Sequence, residues 1–369
     1  MLIGVPKEIK LQEYRVGLTP SSVREFVHYG HEVIVEASAG IGVGFADDAF
    51  EAAGARIAST AADVFAAADM IIKVKEPQAN EYRLLRADQI LFTYLHLAAD
   101  RKLTEALMQS GCIAIAYETV TDREGRLPLL APMSEVAGRM SVQVGAHCLE
   151  KAQGGAGVLL GGVPGVQAGK VVVIGGGVSG TNAVRMAMGM EAQVYVLDRS
   201  LARLDALDMR FGPVLNTLYS TVDAVEEHVT SADLVIGAVL IPGAAAPKLV
   251  TRDMVGAMRP GSVLVDIAID QGGCFETSKA TTHDDPTFVV DDVIHYCVAN
   301  MPGAVARTST QALNNATLPF AIALANKGYV KAFEDDVHLR RGLNVFRGEI
   351  TYEAVARDLD LPFHNPRLQ

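Results

Sequence analysis

Residues 175–180 read Gly-Gly-Gly-Val-Ser-Gly, a G-x-G-x-x-G spacing. The apolar run Lys170-Val-Val-Val-Ile174 precedes them, and a helical pattern from Ser179 to Met190 follows. In that setting each glycine has a task. Gly175 permits the tight turn, Gly177 lets the backbone approach a pyrophosphate, and Gly180 lets helix and strand pack closely. The helix N-terminus at Ser179 offers unpaired N–H groups and partial positive charge to phosphates. Asp198 closes the next apolar run. A carboxylate there accepts both ribose hydroxyls and repels a 2′-phosphate, which favours NAD over NADP. The neighbouring Arg199 pulls the other way, because arginine holds a 2′-phosphate well.

A second set of residues shares one position type. Arg15 follows the first strand pattern, Lys75 follows Met70–Val74, and His96 follows Ile90–Tyr94. In a parallel sheet all three reach the carboxyl edge, where α/β proteins bind ligands. Arginine offers a two-pronged donor to a carboxylate, lysine a point charge, and histidine a proton exchanged near neutral pH. Together they suit a small carboxylate bearing an oxo or amino group. Taken singly, Arg15 and Lys75 read as solvated surface charges and His96 as a core histidine.

Other signals are weaker. Ala238-Val239-Leu240 and Ile267-Ala268-Ile269-Asp270 each follow a strand pattern, where the nicotinamide end of a dinucleotide sits; ordinary βα loops look the same. His283-Asp284-Asp285 reads as a solvated turn rather than a metal site. No GxSxG, HExxH or GxxxxGK[ST] pattern occurs, so nothing supports a serine hydrolase, zincin or P-loop enzyme.

These residues need a frame. The 369 residues are 50% hydrophobic and 20% charged, enough apolar material for more than one core. The 32 Lys and Arg against 43 Asp and Glu leave a net charge of −11, which argues against nucleic acid as a partner. Cys112, Cys148, Cys274 and Cys297 form no CxxC pair and read as core thiols of a reducing compartment. No signal peptide is visible, and apolar runs such as Ala316 to Ala325 are about half the ~20 residues a bilayer crossing needs. The expectation is a cytoplasmic protein without a membrane partner.

Strand and helix patterns alternate almost throughout, which predicts parallel sheets covered on both faces. Thr19-Pro20 opens a helix, and Thr308 to Asn326 reads as one long helix with a kink at Pro319. Glycine-dense connections at 154–157 and 161–165 precede the fingerprint strand. The predicted fold class is α/β, with two doubly wound parallel-sheet domains. A Rossmann dinucleotide domain, 131–307, is inserted into a discontinuous substrate domain, 1–130 and 308–369, with a cleft between them.

The chain resembles the alanine dehydrogenase family. The likeness rests on Gly4-Val-Pro-Lys-Glu8, Arg15-Val-Gly-Leu-Thr-Pro20, Lys73-Val-Lys-Glu-Pro77, Leu95-His96-Leu97, Gly175–Gly180, Asp266-Ile-Ala-Ile-Asp270 and Val298-Ala-Asn-Met-Pro-Gly303. The nicotinamide-binding subunit of proton-translocating transhydrogenase shares part of this pattern. The resemblance implies that Arg15 and Lys75 bind the substrate and that His96 and Asp270 are the catalytic pair. It also implies that Ser134, Val178, Asp198, Arg203, Ser220, Val239, Lys279 and Asn300 contact NAD; Leu240, Ile267, Ala268, Ile269, Asp270, Val298, Ala299 and Met301, in the same loops, are expected beside them. The implied reaction interconverts L-alanine with pyruvate and ammonia, in a homohexamer. Two alternatives stay open: a dehydrogenase of another small oxo or amino acid, and a hydride-transfer subunit that turns over no free amino acid.

Overall fold

A computed structural model describes residues 1–239 and 246–366. The chain divides into two compact units: Met1–Met133 with the chain from Val305 onward, and Ser134–Ala304. The first stretch supplies strands β1 (Leu2–Val5), β2 (Glu32–Glu36), β3 (Arg56–Ala58), β4 (Met70–Ile72), β5 (Ile90–Thr93) and β6 (Ile113–Ala116). The second unit holds β7 (Lys170–Ile174), β8 (Gln193–Asp198), β9 (Asn216–Tyr219), β10 (Leu234–Gly237), β11 (Val263–Asp266), β12 (Thr287–Val290) and β13 (Val293–Tyr296). Strands β14 (Leu343–Phe346) and β15 (Glu349–Ile350) return to the first unit.

The first sheet has the order β15-β14-β6-β5-β4-β1-β2-β3. From β1 the chain runs outward through β2 and β3, then crosses back to β4 on the other side. The switch point therefore lies between β1 and β4, the place where open α/β sheets form a ligand crevice. Ile71, Leu91 and Ala114 are fully buried and share a core with Val64 and Phe65 of the helix Ala61–Ala67 and Leu103 and Leu107 of the helix Arg101–Ser110. Packing is close enough to require Gly4 in β1, where a Cβ would stand 2.6 Å from that of Ala68. The helix Pro20–His28 starts as its sequence dictates: the Thr19 hydroxyl accepts from Ser22 N at 3.2 Å and proline occupies the first turn.

The second sheet has the order β12-β13-β11-β10-β7-β8-β9, with its switch point between β7 and β10. Val172, Val235 and Leu264 in its central strands are fully buried around Phe275.

The expected α/β architecture of two parallel-dominated sheets is present, with departures at the sheet edges and in one helix. Neither sheet is wholly parallel. β12 is antiparallel to β13, and β14 is antiparallel to both β6 and β15. Two-residue hairpins make the β12–β13 and β14–β15 pairs: Asp291-Asp292 (φ 50° and 61°) and Arg347-Gly348 (φ 49° and 94°) take the left-handed conformation that such turns need. The long helical stretch, Ala306–Asp335, is interrupted at Gly328 (φ 69°, ψ 162°) and not at Pro319, which lies within it; only glycine takes that φ without strain. Five further strands carry too little alternation to read from sequence, β3, β9, β14, β15 and β13, the last holding a fully buried His295.

Candidate functional site

In the first unit β1, β4 and β5 are adjacent and parallel, so Arg15, Lys75 and His96 leave three neighbouring strand ends at one edge, around the switch point. Arg15 is 2% exposed. Its Nε and Nη2 donate to the two carboxylate oxygens of Glu13, each at 2.7 Å, and Nη1 lies 3.0 Å from the Met133 sulfur. Burial works against the charges of both groups, but their mutual bonds prevail: Glu13 is held below the usual carboxylate range and Arg15 stays firmly charged. Lys75 is partly buried. Burial, with Arg15 and Lys10 nearby, pushes its ammonium down from the usual lysine range. Its backbone N–H points to Glu8 Oε1 at 3.3 Å.

His96 sits in the left-handed region (φ 51°, ψ 40°) and its side chain is 51% exposed, so it is not a core residue. Glu118 holds the turn. Its carboxylate accepts from His96 N at 2.6 Å and from Leu95 N at 3.1 Å, and Oε1 lies 3.9 Å from His96 Nδ1. The imidazole stacks on Tyr94, with ring centroids 5.9 Å apart and planes at 10°. The buried Tyr94 hydroxyl donates to Leu129 O at 2.6 Å, and burial raises its pKa.

Beneath these groups lies a buried ionic knot. Lys73 Nζ donates to Glu8 Oε2 at 3.2 Å and Glu81 Oε1 at 3.0 Å, and Glu8 Oε1 accepts from Val74 N at 2.6 Å. Glu8 thus ties the loop after β1 to the loop after β4, the two segments that carry Arg15 and Lys75. Sequence reasoning passed over Glu8, Glu13, Glu81 and Glu118. A carboxylate's task is set by its tertiary partner, and only Glu13, two residues from Arg15, left a local trace.

In the second unit the predicted cofactor residues follow parallel strands of one sheet: Gly175–Gly180 after β7, Asp198 ending β8, Ser220 after β9, Val239 after β10, Ile267–Asp270 after β11, and Val298–Met301 after β13. A Cβ on Gly180 would lie 1.7 Å from Gly175 O, and one on Gly175 (φ 101°) would lie 2.8 Å from Ala238 O. At Gly177 a Cβ would meet open space. Two of the glycines are therefore demanded by packing, and the third bares backbone where a pyrophosphate would lie. Asp198 accepts from Gly176 N at 2.7 Å and Ser200 N at 2.8 Å, which fixes its carboxylate beside the glycine turn with lone pairs left for ribose hydroxyls. These features fit a dinucleotide.

The supporting residues are equally specific. Asp266, fully buried with its pKa raised by burial, accepts from Ala268 N and Cys274 N and so shapes the turn Ile267–Gln271. Asp270, in that turn, is exposed. Asn300 (φ 62°) has its carbonyl 3.2 Å from His283 Nε2. Arg203 and Lys279 are exposed, and Ser134 lies near the start of the helix Ala131–Cys148. A cavity of about 370 Å³ beside the fingerprint helix is lined by Val178, Arg203, Arg139, Arg185 and Arg210, among others. Leu240 lies outside the described residues. Among the described residues no group of three His, Cys, Asp or Glu is placed to hold a metal ion, and no helix is long and apolar enough to cross a membrane.

Comparison with known proteins gives matches along nearly the whole chain. Residues 4–137 match the family described as alanine dehydrogenase/PNT, N-terminal domain, and residues 141–353 its C-terminal domain. An alanine dehydrogenase of Halomonas elongata is 65% identical over 363 residues, 98% of either chain. A solved L-alanine dehydrogenase superposes with a TM-score of 0.95 at 56% identity, covering 98% of this chain and 99% of that one. A transhydrogenase structure from Sinorhizobium meliloti gives a TM-score of 0.84 at 26% identity, covering 95% of this chain and 100% of that one.

Proposed function

The chain belongs to the alanine dehydrogenase/PNT family, and from that we propose that it catalyses the reversible NAD-dependent oxidative deamination of L-alanine to pyruvate and ammonia. The observation that carries the substrate half is the convergence of Arg15, Lys75 and His96 on three adjacent strand ends at the switch point. The 65% identity to an alanine dehydrogenase over nearly the full length, against 26% to a transhydrogenase structure, favours this over a hydride-transfer subunit.

NAD would be held by the Gly175–Gly180 turn, Asp198 and the loops after β9, β10, β11 and β13, with Ser134, Arg203 and Lys279 as further contacts. Bound there, it supplies the hydride acceptor for oxidation at the substrate Cα. The chain's own residues do the rest. Arg15 and Lys75 hold the substrate carboxylate and oxo group, so that the reacting carbon is presented in one orientation. Water must add to the substrate imine, and the carbinolamine must then lose ammonia. Each step moves a proton on or off nitrogen or oxygen, and His96 and Asp270 are assigned that work. The half-exposed imidazole can exchange its proton with solvent between turnovers. A cytoplasmic homohexamer belongs to the same proposal; four buried, unpaired cysteines accord with a reducing compartment.

A scan of amino acids with NAD, followed by absorbance of the reduced cofactor, tests the assignment. L-Alanine is expected to be the best substrate, with pyruvate as product. Tight NADH binding with no amino acid oxidised contradicts it.

A further inference from the structure

We propose that Glu13 is a positioning residue for substrate: it grips one edge of the Arg15 guanidinium and thereby fixes which edge meets the substrate carboxylate. The inference rests on the assignment of Arg15 to that carboxylate. A guanidinium has two edges that can engage a carboxylate with parallel N–H bonds, Nε with Nη2 and Nη1 with Nη2. Glu13 uses the first, through Oε1 and Oε2 at 2.7 Å each. The second is not used by Glu13; its Nη1 lies 3.0 Å from the Met133 sulfur, a weak acceptor that a substrate carboxylate would displace. Both side chains are buried, Glu13 completely and Arg15 to all but 2%. Glu13 Oε1 also accepts from Arg15 N at 3.1 Å, so a single carboxylate sets the residue's backbone and its guanidinium plane. An unheld arginine side chain would lose its rotamer freedom on each binding event; here that ordering is already present in the fold.

The grip has an electrostatic consequence that makes it testable. Glu13 neutralises much of the Arg15 charge, so a purely electrostatic effect would make pyruvate bind more tightly when Glu13 is removed. Positioning predicts the opposite sign. Glu13→Gln keeps the size but sets an amide N–H₂ against a guanidinium donor. Glu13→Asp keeps the charge and shortens the reach.

The experiment measures pyruvate KM, kcat, the NADH dissociation constant and melting temperature for the full chain, for Glu13→Gln, Glu13→Asp and Arg15→Lys, and for Glu13→Gln combined with Arg15→Lys. Glu13→Gln is expected to raise pyruvate KM about tenfold or more, as loss of a charge-assisted bond implies, while the NADH dissociation constant stays within about twofold. Glu13→Asp is expected to raise KM by less, and it carries the comparison alone if the Gln variant does not fold. In the Arg15→Lys background the Glu13 change should add about twofold at most, because its effect runs through the lost fork. A lowered or unchanged KM in the Glu13 variants, or an equal effect in both backgrounds, overturns the proposal. An unchanged KM in Arg15→Lys overturns the assignment of Arg15 itself, and that outcome is distinct from the others.

Discussion

The Glu118 carboxylate accepts the backbone N–H of His96 at 2.6 Å and so stabilises a left-handed turn in which the imidazole stands half exposed over Tyr94. A non-glycine residue at φ 51° is strained, and Glu118 is the group that offsets the strain. Glu118→Ala is therefore expected to cost turnover by misplacing His96, with NADH affinity retained. His96→Ala itself should lower kcat by about 10²–10⁴-fold, the range for a positioned acid or base, with only a modest change in melting temperature. Normal turnover in His96→Ala with a collapsed melting temperature would make His96 a packing residue.

On the proposed reading, Asp198 sets nucleotide choice. Asp198→Arg removes the ribose acceptor and supplies a cation beside the exposed Arg199, so NAD should bind more weakly and NADP should be admitted. It also removes the bond to Gly176 N, so some loss of stability is expected alongside. Unchanged kinetics with both cofactors would show that Asp198 is not the ribose ligand. The comparison uses NAD and NADP Michaelis constants on one preparation.

Arg15→Lys should raise pyruvate KM strongly and leave NADH binding intact, since lysine lacks the two-pronged fork. Pyruvate affinity should also fall with rising pH earlier than an ordinary lysine allows. Burial lowers the Lys75 pKa, with Arg15 and Lys10 adding, so its proton is lost below the usual lysine range and the attractive charge goes with it. A pH profile of pyruvate KM that stays flat through that range would remove Lys75 from the substrate site.

Much of this frame is legible in the sequence, and the limits have physical causes. The strand β7 and the glycine turn show themselves because both are local: a buried apolar run and a run of glycines, two of the fingerprint positions demanded by packing. The strand-end positions of Arg15, Lys75 and His96 are legible for the same reason, since each follows an apolar strand. β13 is not legible, because its His295 and Tyr296 look polar until burial is known, and yet it carries the Val298–Met301 loop to the sheet edge. The buried carboxylates are hidden more deeply. Nothing near Glu8 announces a lysine 65 positions away.

That knot sets a stability prediction. Lys73→Met would leave Glu8 and Glu81 buried without their cation, a change that costs about 3–5 kcal/mol for broken buried pairs. The midpoint of denaturant unfolding should fall accordingly, and surviving folded protein should show a raised pyruvate KM because the Lys75 loop loses its anchor. An unchanged unfolding midpoint would mean that solvent or another cation replaces Lys73.

The most direct measurement is NADH oxidation with pyruvate, run with and without ammonium on the same preparation. Rapid oxidation that requires both, yielding L-alanine, is expected. Oxidation by pyruvate alone at a comparable rate would make the protein a 2-hydroxy acid dehydrogenase, and NADH binding without oxidation under either condition would contradict the assignment outright.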